Sequence, residues 1–267
     1  MEKIQANKYY KHFDDSERPT IEYFVGLFNQ MQFKHQRILT DFLDPREFQI
    51  LKTIVGNQAG LFSFGGINNA EKVRAILDPD WMPAIKSDFE ISLFEIHYPS
   101  KFYQLRHSDV LGAIANLGID LSIFGDILNF EDRWQFFVKK DFASYIQDNL
   151  PQIGRATISL EELSLEKVII PEDNSLEQTE IVTSLRLDTL VSALTHKSRN
   201  QAQELISQGE AKLNWHSVTD FNIILNIEDL LSVRHFGRAK ITQIMGTRKG
   251  KYKVVFQLWK SQKIRKN

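Results

Sequence analysis

Arg186, Lys197 and Arg199 fall within fourteen residues, around a stripe of Leu187, Leu190, Val191 and Leu194 that has the spacing of one helix face. Ser198 with Gln201 three positions on makes a capping box for a second helix, which would bury Ala202, Leu205 and Ile206 and stop at Gly209. Arg186 would open the first helix, while Lys197 and Arg199 flank the start of the second. Helix N-termini offer unpaired N–H groups and a partial positive charge, so cations placed there predict a phosphate-binding corner.

The charge of the whole chain points the same way. From Leu185 to Asn267 there are fifteen basic and six acidic residues, a net of +9, against eighteen and twenty-eight, a net of -10, in residues 1–184. Arg234, Arg238, Lys240, Arg248, Lys249, Lys251, Lys253, Lys260, Lys263, Arg265 and Lys266 follow Leu230 without one intervening acid. They alternate with strand-like apolar residues, as in KYKVVFQLWK, so an ordered sheet would display them. Such asymmetry predicts one half made to meet a polyanion.

Composition removes other chemistries. With no cysteine, thiolate metal sites, iron-sulfur clusters, disulfides and cysteine nucleophiles are excluded, and nineteen phenylalanines supply real cores. The seven histidines are scattered without metal-ligand spacing, no GxGxxG occurs, and no metal, cofactor or catalytic residue is expected. GTRKGK (246–251) resembles a phosphate loop, but three residues separate its glycines where four are needed and Tyr252 replaces the hydroxyl residue, so it reads as a basic hairpin turn. HSD (107–109) is no triad, because adjacent helical side chains point apart. The N-terminus has no apolar signal segment and no run of eighteen apolar residues occurs, so the expectation is a cytoplasmic protein without a membrane partner, acting as a monomer.

The elements that must position the corner read as an α+β chain of three domains. A small αβ module over 1–83 starts with a long helix from Thr20 to Leu43. It continues with a helix capped by Asp44, Pro45 and Glu47 and ending near Val55, a strand at LFSF, a turn at Gly65 and Gly66, and a third helix over NNAEKVRAIL capped by Asn68 or Asn69. Residues 84–170 then alternate as strand, helix, strand, strand, helix, strand, the split βαβ order of ferredoxin-like, RRM-like domains. Phe136 and Phe137 would point to opposite faces, as packing residues rather than base-stacking ones. PEDNSLEQTE suggests a linker over 171–183, leaving a basic domain over 184–267.

Leu185 to Trp215 resembles the alpha-L RNA-binding motif of the ribosomal protein S-four superfamily. Its RLD, SR, A, LI, G and VN pattern is met by Arg186, Leu187 and Asp188; Ser198 and Arg199; Ala202; Leu205 and Ile206; Gly209; and Leu213 and Asn214. The resemblance implies an S-four-type domain in which Arg186, Lys197, Ser198, Arg199, Lys212 and Asn214 contact RNA, with Asp188 bracing the corner. Trp215, Arg234, Arg238 and Lys240 are added as candidate contacts. Gln203 and Glu204 stand where many relatives are more basic, and Trp215 replaces a usual glycine, which moves part of the expected grip to the basic strands.

FLDPRE (42–47), GGINNAEKVR (65–74), LRHSDVLGAIANLGI (105–119), GDI (125–127), the NW pair and SVRHFGR (232–238) together resemble the YlmH family over nearly the full length. Ser108, Asp120 and Leu121 depart from the basic residues usual there. The resemblance implies a non-enzymatic protein that binds structured RNA, rRNA or tRNA, on the large ribosomal subunit in ribosome rescue and quality control. It also implies a link to cell division, hence a division-protein partner. The competing readings are an RNA-modifying enzyme of the pseudouridine synthase type and a division-scaffold adaptor.

Overall fold

The structure is a computed structural model that describes residues 3–260, so Lys263, Arg265 and Lys266 of the basic run lie outside the described residues. The chain divides into two compact units, one ending at Glu172 and one starting at Asp173.

In the first unit, a helical turn α1 (Asn7–Tyr10) precedes α2 (Arg18–Lys34), which buries Ile21, Phe24, Val25, Phe28 and Met31. The helix does not run on to Leu43. His35 ends it in the left-handed region, and Ile38–Leu43 forms strand β1. Ile38, Leu39, Phe42 and Leu43 have helical spacing for a different reason, a register shift between Leu39 and Phe42 in the pairing of β1 with β3 (Val73–Asp78). The expected cap is present: Glu47 N–H donates to Asp44 Oδ1 at 2.8 Å and Asp44 N–H to Glu47 Oε2 at 2.8 Å, opening α3 (Pro45–Val55).

β2 (Gly60–Phe64) is the LFSF strand, and the three strands pair antiparallel in the order β1-β3-β2. The third helix expected over NNAEKVRAIL is therefore a turn leading into a central strand. Two causes are visible. The Asp126 carboxylate accepts the backbone N–H groups of Glu71 at 2.7 Å and Lys72 at 3.0 Å and so fixes the turn, and β3 is buried on both faces, so its apolar run shows no alternation. Arg74, nearly fully buried, donates to the carbonyls of Thr40, Phe89 and Glu90 at 2.7 to 2.9 Å.

The split βαβ order holds. β4 (Ile91–His97), α4 (His107–Ala115), β5 (Phe124–Phe130), β6 (Arg133–Lys139), α5 (Ala143–Asn149) and β9 (Ser159–Leu163) build an antiparallel sheet ordered β5-β6-β4-β9. A two-residue hairpin, β7 (Gln152–Ile153) with β8 (Ala156–Thr157), interrupts the approach to β9. Phe136 faces the helices with Phe94, Ile114 and Ile146, whereas Phe137 faces the other side with Phe42, Leu93, Leu128 and Ile169. That second face is the one RNA-recognition modules leave open for stacking bases. Here the N-terminal module covers it. Gly66, at φ +96, passes so close that a Cβ would stand 2.3 Å from the Phe137 ring, so the two segments divided at residue 83 by sequence share one core.

In the second unit, part of the expected linker is structural. Residues Leu176–Val182 form β10, an edge strand paired with β15 (Tyr252–Lys260) from Leu176↔Leu258 to Val182↔Tyr252. Its only buried residue is Val182, so its polar sequence concealed a strand held by backbone pairing. The helices follow as α6 (Leu187–Thr195) and α7 (Arg199–Ser207), then β11 (Ala211–Leu213), β12 (His216–Ser217), β13 (Leu230–Val233) and β14 (Gly237–Gly246). The sheet runs β10-β15-β14-β13-β11-β12, and Leu187, Leu190, Val191, Leu194, Ala202 and Ile206 seal α6 and α7 into its core.

Candidate nucleic-acid interface

The corner between α6 and α7 is built around a buried carboxylate. Asp188 has no exposed side-chain surface and accepts from Arg186 Nε at 3.1 Å and Nη2 at 2.9 Å, from Arg199 Nε at 2.9 Å and from Gln203 Nε2 at 2.7 Å. Burial alone would raise its pKa, but the hydrogen bonds from Arg186, Gln203 and Arg199 hold it well below the usual carboxylate range. Asp188 therefore braces the corner, as its sequence position implied. Gln203 completes the brace. It lies one turn beyond Arg199 on the same helix face, and that i, i+4 spacing was the available signal for a role that sequence reasoning missed.

Arg199 spends only its Nε on Asp188, so among the described residues both Nη groups remain without an intramolecular partner on a side chain that is 56% exposed. A guanidinium anchored at one edge and open at the fork is preorganised to grip a phosphate. Arg186 is more enclosed, with two bonds to Asp188 and its guanidinium over the Phe221 ring at 6.0 Å. Lys197, two residues before Arg199, is exposed, and its carbonyl accepts from Ser192 Oγ at 2.7 Å. The Ser198 hydroxyl oxygen caps α7 by accepting the Gln201 N–H at 3.3 Å.

One expectation is corrected. The first N–H groups of α6 are not available to an anion, because Leu187 N–H donates to the Ile223 carbonyl at 2.8 Å and Asp188 N–H to that of Phe221 at 3.2 Å. An anion approaching the corner would meet side chains and the first turn of α7, not the N-terminus of α6.

The remaining candidates gather elsewhere. Sheet register aligns Lys212 with Ser232, Ser232 with Arg238 and Arg238 with Trp259, which puts Lys212 and Arg238 on one face, two strands or about 10 Å apart. Lys240 lies on that face as well and pairs with Glu228 at 2.7 Å. Arg234, at the β13–β14 turn, pairs with Glu210 at 3.3 Å. Asn214 is committed internally: its Nδ2 donates to Asp229 at 2.8 Å and its Oδ1 accepts the Leu230 N–H at 2.8 Å. With Trp215, half-buried and also at positive φ, it forms the turn between β11 and β12, so Asn214 shapes the surface rather than offering its amide to a ligand.

Val182, four residues before Arg186, pairs with Tyr252, whereas Arg238 pairs with Trp259 at the other end of β15, about 20 Å away. Among the described residues no helix is long and apolar enough to cross a membrane.

Comparison with known proteins agrees with this geometry. Residues 185–231, which hold the corner, match the S4 domain, and residues 84–167 match the family described as "Putative RNA-binding domain in YlmH". Among solved structures, the chain is similar to the cell division protein ylmH from Streptococcus pneumoniae, with 37% identity and a TM-score of 0.52 over 60% of this chain and 99% of that one. It is also 38% identical to the ribosome-associated protein quality control protein P2 of Bacillus subtilis (strain 168) over 250 residues, 93% of this chain and 97% of that protein. Identity of that order along almost the whole of both chains, with both RNA-binding domains in place, means that this chain belongs to the YlmH family.

Proposed function

We propose that the chain is a non-enzymatic protein that binds structured RNA on the ribosome, and that it serves quality control by engaging rRNA or peptidyl-tRNA on the large subunit. The observation that carries the reading is the Asp188-anchored Arg199, whose open guanidinium fork stands beside Lys197 at the corner of the S4 domain. The name of the Bacillus subtilis relative supports the ribosomal setting. Arg186, Lys212, Arg238 and Lys240 extend the proposed contact surface, while Ser198, Asn214 and Trp215 shape it.

The test is co-sedimentation of the full chain with ribosomes. Lys197→Ala with Arg199→Ala keeps the Arg186 and Gln203 bonds to Asp188, and circular dichroism checks that the variant is folded. The expected result is loss of co-sedimentation at physiological salt; an unchanged ribosome-bound fraction of the folded variant overturns the reading. The name of the Streptococcus pneumoniae relative favours a second reading, an adaptor in cell division, in which a direct protein partner would survive RNase treatment in a pull-down.

A further inference from the structure

Beyond Lys240, the β14–β15 hairpin outgrows its neighbour. β13 pairs with β14 only from Gly237 to Lys240, but β14 and β15 stay paired out to Gly246↔Tyr252. The turn that closes them is well fixed: Thr247 N–H donates to the Lys251 carbonyl at 2.7 Å, Lys251 N–H to Thr247 Oγ1 at 3.0 Å, and Gly250 takes φ +70. Arg248, Lys249, Lys251 and Lys253 are all exposed on this tip.

Like Lys197 and Lys212, these four carry charge that no acid of the unit neutralises among the described residues, unlike four other cations. Arg186 and Arg199 share Asp188, Arg234 has Glu210 and Lys240 has Glu228, whereas among the described residues the tip cations have no ion-pair partner. Holding four like charges on one short ordered turn is unfavourable by itself, and a polyanion removes that cost. The tip also lies at the end of the sheet that leads into the α6–α7 corner. Tyr252 is opposite Val182, and the three residues between Val182 and Arg186 limit that step to about 14 Å. Arg238 and Lys240 are at the other end.

We propose that this hairpin tip is a second phosphate-backbone contact for the same folded RNA, so that the second unit grips RNA from the helix corner to the tip. The assignment rests on the RNA-binding reading above. RNA is favoured over an acidic protein or a lipid surface because the exposed cations sit at the sheet end that leads into the corner, within one short chain step of the proposed phosphate grip.

The experiment measures binding of the full chain to purified ribosomes as a function of salt. The variant Arg248→Gln, Lys249→Gln, Lys251→Gln keeps Thr247 and Gly250 and so keeps the turn. Each lost phosphate contact lowers the slope of log affinity against log salt by about 0.9, so the expected slope falls by about three and affinity near 0.1 M salt falls at least tenfold. An unchanged slope and affinity, while Lys197→Ala with Arg199→Ala abolishes binding, overturns the tip and leaves the corner standing. Absence of salt-dependent ribosome binding by the unaltered chain overturns both. If the glutamine variant binds ribosomes normally but loses binding to anionic phosphatidylglycerol vesicles, the tip serves a membrane surface and the proposal is rejected.

Discussion

Arg199 Nε and the buried Asp188 carboxylate stand 2.9 Å apart, tying the first turn of α7 to the first turn of α6 across eleven residues of sequence. The bond makes an acid part of a surface read as anion-binding. Simple charge counting says that removing this acid should strengthen RNA binding; the geometry says the opposite.

Asp188→Asn should weaken ribosome binding by about tenfold even though it makes the domain more positive, because Arg186 and Arg199 lose the anchor that orients them. It should also cost about 3 kcal/mol of stability, the scale for breaking a buried charged network. Urea unfolding and filter binding of the same variant check both parts. Tighter binding would contradict the bracing role.

The pH dependence follows from the direction of the Asp188 shift. A carboxylate whose native pKa is depressed adds stability that is complete above its unfolded value of about 3.9 and is lost only as pH falls through the native value. The corner should therefore persist through mild acid, with no loss of Asp188-linked stability between pH 7 and 5. Carboxyl carbon NMR should show Asp188 titrating well below free aspartate. A midpoint at or above the free value would refute this.

Gly66→Ala should destabilise the first unit by about 2 kcal/mol or more, since it combines a positive φ with a Cβ placed 2.3 Å from Phe137. Gly112→Ala, in α4 with nothing within 4 Å of the new Cβ, should instead stabilise by about 0.5 to 1 kcal/mol. Denaturant midpoints of the pair give opposite signs if the packing is as described.

Phe136→Ala and Phe137→Ala should each cost about 3 to 5 kcal/mol, as both rings are fully buried. Neither residue should crosslink to RNA in intact ribosome complexes. A crosslink at Phe137 would mean that the N-terminal module leaves the sheet during binding.

Local chemistry was legible and long-range pairing was not. The α3 cap at Asp44, Pro45 and Glu47 and the α7 cap at Ser198 and Gln201 announce themselves because each depends on residues three apart. The ferredoxin-like order was readable because most of its strands alternate or end in clear turns. β1 reads as helix because its apolar residues, across a register shift, have helical spacing, and β3 because burial on both faces removes any alternation. β10 reads as linker because an exposed edge strand needs almost no apolar residues. At the site, the residue types and the bracing role of Asp188 were readable, but the division of the cations between two ends of one sheet depends on register, which sequence spacing does not encode.

The seam of Phe42, Phe137 and Gly66 also governs how the molecule can be divided. A fragment spanning 84–170 would display Leu93, Leu128 and Phe137 as a bare wall and should self-associate, so its behaviour with RNA in isolation would report stickiness rather than recognition. The smallest faithful piece of the front half is everything up to Glu172. Gene fusions and evolutionary shuffling would have to move it whole.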